Sequence, residues 1–347
     1  MNRSEILSVY NWGAVSPSGC GVQELWNHPP LKGQEPDVSS PTRWYEVFAV
    51  NRKWPQLLRW KDHPRLRRAS SLSSFMVEAA CQALGPSFGM DREGSLGVIA
   101  CFGTGSVSLS HKFYAGFLAT GKRFASPALF PETVYNASLS HLAAVISCSG
   151  PAYALVGDQT AWLAALRVAR IWLNQGACQW VLVVGAEELD PIAIEAFVAC
   201  GWLKRKSLFR PSEGAASLLL GPPGQEALCH LGPWWGEWPY RNRSQAAQAA
   251  RKLAELIPPN AWVYRSAQNN WLAAMEAQVT GGRPACESPW YLGEAFTASA
   301  GWHIILAGLF ARQKACPLYL PLWGLNYGIG LLKVLPPNEN HSTSPHV

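Results

Sequence analysis

Short apolar runs alternate along the chain with longer stretches in which apolar residues return every three or four positions. This is the pattern of strands interleaved with helices. Apolar runs predict strands at 6–15, 95–102, 152–156, 181–186, 215–221, 261–267, 318–322 and 329–334. Helical spacing predicts helices at 70–84, 107–119, 159–173, 244–257, 271–279 and 298–311. Continuous apolar strands such as "VLVVGA" belong in sheets covered by helices on both faces. The helix at 159–173 carries Trp162, Leu163, Leu166, Ala169, Trp172 and Leu173 on almost every side, which places it centrally. Residues 27–64 are polar and Pro-rich with no clear period and read as an irregular excursion. The alternation predicts two α/β halves, 1–190 and 191–335, followed by a polar, frayed tail at 336–347.

Composition adds a covered surface to this picture. In 347 residues, 48% are hydrophobic and 15% charged, which implies area hidden in a large core or at a subunit interface. Seventeen tryptophans, with Trp234, Trp235 and Trp238 clustered, suit core and interface packing or an aromatic wall around an apolar ligand. The net charge is +6, with short basic clusters at 65–68 ("RLRR") and 204–206 ("KRK"). Neither is long enough to argue for nucleic acid; each reads as solvated surface or as a docking patch for an acidic partner. Nine scattered cysteines without a CxxC pair predict reduced thiols in a cytoplasmic protein, with no zinc or disulfide framework. No opening signal segment is legible, and no apolar run approaches the ~20 residues of a membrane helix, so no membrane is expected. "CFGTGS" at 101–106 contains a GxG but lacks the third glycine of a dinucleotide fingerprint, so no cofactor is expected.

Residues 150–169, "GPAYALVGDQTAWLAALRVA", read as strand, tight turn and helix. Many α/β enzymes hold a nucleophile at such a turn, where the helix N-terminus favours an anion. Here the tip is Gln159, whose amide cannot ionise or attack. The stretch is therefore an elbow without its nucleophile or an ordinary connection.

Seven stretches, in order, resemble the β-ketoacyl synthases: "WGAVSPSGCG", "RRASSLSSFMVEAACQAL", "FPETVYNASLSHLAAVISCSGPAYAL", "LVVGAEE", "FRPSEGAASLLLG", "YLGEAFTASAG" and "NYGIGLL". Their order and spacing agree over roughly residues 5–335. The resemblance implies a thiolase-like α/β fold, two βαβ-rich halves packed as five α/β/α/β/α layers, in obligate dimers. Catalytic members of that family condense acyl thioesters with a cysteine nucleophile, two histidines and a lysine. Laid on that pattern, Gln159 stands at the nucleophile position, and Cys148 and Cys178 lie too far along the chain to replace it. The first histidine loop corresponds to "WVYRSAQNNW", which offers Ala267, Gln268 and Asn269. Near the second histidine position stands Glu294, with no lysine before it. His303 lies one turn into the next helix and reads as core; His141 falls where the family's histidine is structural. Ile329 stands near the position of the family's gating phenylalanine.

A kept scaffold without catalytic groups resembles the chain-length-factor, or ketosynthase-β, subunits of type II polyketide synthases. The resemblance then implies no activity alone, a heterodimer with a catalytic ketosynthase, and an acyl carrier protein bearing a phosphopantetheine-bound chain as the further partner. The "LGEAFTASAG" loop leans toward polyene-type pairs. It also implies an acyl tunnel across the interface, placed here beside Phe113, Tyr114, Phe117, Leu118, Leu129 and Phe130, any of which could instead be interface core. Two alternatives stand beside it: a Gln-type decarboxylase of malonyl-carrier protein, which would need its histidines, and a purely structural partner subunit.

Overall fold

The computed structural model describes residues 6–27, 45–86, 95–204, 207–224, 226–325 and 328–338. Its strands are β1 (Leu7–Ser16), β2 (Gly19–Cys20), β3 (Leu96–Phe102), β4 (Ala152–Val156), β5 (Trp180–Glu187), β6 (Gly214–Gly221), β7 (Cys229–Pro239), β8 (Trp262–Arg265), β9 (Ala285–Glu287), β10 (Leu318–Trp323) and β11 (Gly328–Leu335). Apart from β2, which pairs with β1, they run in the order β4-β3-β5-β6-β1-β7-β11-β10-β8-β9. Numbered within its own five strands, each set reads third-second-fourth-fifth-first from its outer edge. Directions repeat too. The three outer strands of each set are parallel and the next two pairings antiparallel. The sets join through an antiparallel contact of β1 with β7, Leu7 opposite Leu231. β6 belongs to the first set by its bonds to β5 and β1, so the repeat turns over between β6 and β7, later than residue 190.

Ten α-helices connect the strands among the described residues: α1 (Val22–Asn27), α2 (Pro55–Lys61), α3 (Ser71–Leu84), α4 (Val107–Thr120), α5 (Tyr135–Val145), α6 (Ala161–Asn174), α7 (Pro191–Ala199), α8 (Arg243–Leu256), α9 (Asn270–Thr280) and α10 (Phe296–Lys314). α3 and α5 cover the outer face of the first set, and α8 and α9 that of the second. Helices α6 and α10 lie between the sets, in one apolar core with strands of both. The result is the thiolase-like layering, with two outer helical layers around two strand layers and a central helical pair.

The central pair is fixed by indoles. Trp162 and Trp302 are fully buried; Trp162 Nε1 donates to Thr297 O at 2.6 Å and Trp302 Nε1 to Ala215 O at 3.0 Å. Losing either ring would cost about 3–5 kcal/mol in cavity and transfer terms. Close approach also needs Gly301, where a Cβ would collide with Ala216 and the Trp162 ring.

Several expectations need correction. The excursion at 27–64 is not irregular throughout: Pro55 starts the seven-residue α2, with Leu57 buried; residues 28–44 lie outside the described residues. The helix expected from 159 begins at Ala161, because Asp158 and Thr160 form the turn that precedes it. Patterning assigned nothing to α5, α7 or β7. β7 escaped because Gly232, Pro233 and Gly236 interrupt its apolar run. β4, expected as a strand, forms at the sheet's outer edge, with Tyr153 and Val156 exposed. Of the tail, 339–347 lie outside the described residues.

Candidate functional site

The elbow forms where β4 ends. Gly157 N donates to Phe102 O at 2.8 Å, which turns the chain away from the sheet. Asp158 Oδ1 then accepts from Thr160 N at 3.0 Å and Thr160 Oγ1 at 2.8 Å, closing the turn, and α6 follows. Gln159 sits at the tip, 3% exposed. Its Oε1 accepts from Leu325 N at 3.3 Å. Its Nε2 faces the Glu294 carboxyl, at a geometry too loose for a regular hydrogen bond.

Glu294 comes from the other set of strands, on the loop before α10. An isolated bridge pairs it with Pro211, Glu294 N donates to Arg210 O at 2.7 Å, and its carbonyl accepts from Ser212 N at 3.0 Å. Its side chain is buried and accepts from Phe296 N at 2.7 Å. Burial pushes its pKa up to about 8; the Gln159 amide and Phe296 N–H pull it back, and the Asp158 charge pushes further up. At neutral pH the pair is therefore an amide beside a mostly protonated acid, without a nucleophile or a charged base.

Gly324, Leu325 and Gly328 lie against the elbow. A side chain at Gly324 would collide with the Asp158 carboxyl, and one at Gly328 with Thr160. Ile329 is not a gate; it lies fully buried within β11, opposite Trp238. Phe296 joins Phe197, Trp202 and Phe209 in an aromatic cluster beside Glu294, with Leu325 against it.

The loop expected to carry the first histidine has other work. Ser266 N donates to Glu276 Oε1 at 2.8 Å, Ala267 N reaches the same carboxyl, and Trp323 Nε1 donates to it at 2.7 Å. Asn269 caps α9 by accepting from Trp271 N at 3.1 Å. Gln268 is half-buried in this loop, and no contact joins it to Gln159 among the described residues. Glu276, which organises the loop, was not legible in sequence. Burial raises its pKa to about 7.

His303 is buried in α10, with Nε2 2.9 Å from Ser288 Oγ; burial lowers its pKa to about 3, so it stays neutral. His141 Nε2 lies 2.9 Å from Glu132 Oε2 and ties α5 to the short 3-10 turn Phe130–Thr133. The amides of the "CFGTGS" loop are occupied by Glu187, which accepts from Gly103 N, from Thr104 N at 2.9 Å and from Thr104 Oγ1 at 2.7 Å. A resident carboxylate thus fills the place where a phosphate would sit.

Phe113, Tyr114, Phe117, Leu118, Leu129 and Phe130 gather on a different surface. α4 contains no buried residue. Phe113 is the hub, with ring centroids 5.4 Å from Tyr114, 6.5 Å from Phe117 and 5.5 Å from Phe130. Leu118 is 80% and nearby Phe124 73% exposed. Polar bonds hold α4 instead: Ser108 N and Oγ donate to Glu188, and His111 Nδ1 lies 2.8 Å from Asp190 Oδ1. Of the basic clusters, Arg65, Arg67 and Arg68 are exposed around buried Leu66; in the other, only Lys204 is described. No group of three or more His, Cys, Asp or Glu residues fit to hold a metal occurs among the described residues, and no described helix is long and apolar enough to cross a membrane.

Comparison with known proteins follows the same outline. The family described as "Beta-ketoacyl synthase, N-terminal domain" matches residues 14–221. No curated protein matches by sequence. Among solved structures, the ishigamide ketosynthase/chain length factor superposes with a TM-score of 0.77 at 16% identity, covering 95% of this chain and 99% of that one. A beta-ketoacyl synthase from Burkholderia phymatum STM815 gives 0.76 at 15%, covering 96% and 99%. A type II polyketide synthase acyl-carrier protein in complex with its ketosynthase bound to the hexaketide (AntDE:AntF) gives 0.74 at 15%, again covering 96% and 99%.

Proposed function

The chain belongs to the beta-ketoacyl synthase family, and within it we propose that it is a catalytically silent subunit of chain-length-factor type, pairing with an active ketosynthase and walling the acyl tunnel. The observation that carries this reading is Gln159, enclosed at the elbow against Glu294 and the Gly324–Leu325 loop. Condensation needs a thiolate to take the acyl chain and donors for the developing oxyanion. An amide offers no lone pair basic enough to attack. The Leu325 N–H, a donor that a thioester carbonyl could use, is already taken by the Gln159 carbonyl. The decarboxylase reading suffers from the same enclosure, and among the described residues no imidazole hydrogen-bonds to Gln159.

The pairing reading rests on the face around α4. The outer edge of β4 presents main-chain groups that no described strand pairs, and Tyr153, Val156, Leu118 and Tyr114 stand exposed beside or near it. A partner strand added there would extend the sheet and cover the aromatics of α4. The Phe113–Phe117–Phe130 cluster would then face the shared tunnel, where a ring stops a growing chain by overlap. Each methylene is worth only ~0.8 kcal/mol of burial, so overlap discriminates length better than affinity does. The named neighbours, a ketosynthase/chain length factor and a carrier protein with its ketosynthase, support these partner kinds. Exposed Arg65, Arg67 and Arg68 suit an acidic carrier.

Co-expression with a cysteine-containing ketosynthase encoded beside it tests the pairing. A stable one-to-one complex is expected, and a soluble homodimer that ignores the ketosynthase overturns the reading. In the active pair, Phe113→Ala should lengthen the product. Unchanged length with lower yield would leave only the structural-partner reading.

A further inference from the structure

An open groove of about 440 Å³ lies on the second half, where β7 ends and α8 begins. Its lining includes Trp238 and Pro239 at the end of β7 and Arg241, Gln245, Gln248 and Lys252 along α8. We propose that this groove takes an extended acidic segment of a partner protein, carrying two carboxylates about four residues apart.

The charge pattern points to an acidic occupant. Arg52, Arg59, Arg167, Arg210 and Arg265 all have carboxylate partners. Arg241 and Lys252 have none among the described residues. The lining contains no acid, and neighbouring Glu237 is held by Arg167 at 2.9 Å. Two unneutralised cations therefore stand at the two ends of one groove.

Length points to an extended chain. Asn242 caps α8, so Arg241 and Lys252 bracket almost three helical turns, roughly 15 Å at ~1.5 Å per residue. An extended peptide covers about 13 Å in four residues at ~3.3 Å each, and this even spacing keeps both side chains on the one face that meets the helix. Gln245 and Gln248 lie between the cations on the same helix face. The Gln245 carbonyl already accepts from Arg241 N at 2.7 Å, which leaves its NH2 for a peptide carbonyl. Half-buried Trp238 gives the groove an apolar wall for intervening side chains. A compact anion could meet one cation at a time; only an elongated ligand meets both. The inference does not depend on the silent-subunit reading.

The test is fluorescence anisotropy of the full-length chain with a fluorescein-labelled ten-residue Ser/Ala peptide carrying two glutamates four positions apart. Saturable binding is expected, with about a tenfold loss on raising NaCl from 50 to 300 mM. Arg241→Glu and Lys252→Glu should each weaken it about tenfold, at an unchanged melting temperature. The same peptide with both glutamates replaced by glutamine should not bind. Absence of saturable binding, equal binding of the neutral peptide, or indifference to both charge reversals overturns the proposal. So does full competition by inorganic phosphate at matched ionic strength, which would mark a site for small anions.

Discussion

The elbow and the α4 face differ in the opposite way from an active enzyme and its surface. At the elbow, polar groups sit inside: Gln159 Oε1 accepts from Leu325 N and Glu294 from Phe296 N, while Gln159 Nε2 faces Glu294 short of a regular hydrogen bond. On the α4 face, rings sit outside, and polar bonds from Ser108 and His111 hold the helix from beneath. A buried polar group costs about 1–3 kcal/mol when left without a partner, so the elbow is built to be closed. Exposed apolar area of this extent is built to be covered.

The largest predicted effect breaks the second half of this contrast. Leu118→Asp places a charge on the exposed face, where the isolated chain tolerates it. If a ketosynthase covers α4, burying that carboxylate costs a few kcal/mol, and affinity should fall about 100-fold. Sedimentation of the mixed subunits measures it. Unchanged affinity would mean that the rings of α4 face solvent in the complex and that the contrast does not describe an interface.

A smaller effect sharpens the first half. Glu294, Glu276 and Glu187 have folded pKa values of about 8, about 7 and about 6, each raised by burial from an ordinary value near 4.5. Between the ordinary and raised values the folded state holds protons that the unfolded state has released. Stability is therefore greatest below pH ~4.5 as far as these groups are concerned, and falls as pH rises through 6, 7 and 8. Thermal melts should show a decline between pH 5 and 8.5 totalling a few kcal/mol. Glu294→Gln, which keeps the shape and removes the proton, should flatten the upper part of that decline. An unaltered slope would show that Glu294 is not the group titrating there.

How much of this contrast was legible beforehand depends on distance along the chain. The elbow could be found because strand, turn and helix are contiguous at 150–169, and the resemblance supplied the meaning of Gln159. That Glu294 faces Gln159 is a contact across 135 positions, and only the alignment hinted at it. Glu276 and Glu187 left no signal: an acid in a helix or at a strand end looks solvated until its amide partners are seen. The helical period of α4 was readable, but the emptiness of its buried face was not. Periodicity reports which residues share a side, not whether anything in the same chain covers that side. The same reason explains β4, whose apolar run predicts a strand but not its place at the sheet's edge.

The smallest predicted effect is the one a nucleophile-centred view would expect to be large. Gln159→Cys restores the residue that the family uses at this position, and an isolated elbow should then become reactive. Yet the new thiol would sit against Leu325 and a mostly protonated Glu294, with no imidazole bonded to the elbow among the described residues. Helix α6 offers its N-terminal field, typically worth 0.3–1 kcal/mol, which is too little to replace a base and an oxyanion donor together. Intact mass spectrometry after incubation with a malonyl or acyl thioester should therefore find the variant unmodified, and the pairing with a ketosynthase should be unchanged. An acylated adduct at residue 159 would reverse the argument. It would mean that the loop opens often enough for substrate, that the elbow lacks only its sulfur, and that what separates the two regions is a single side chain rather than the way each is packed.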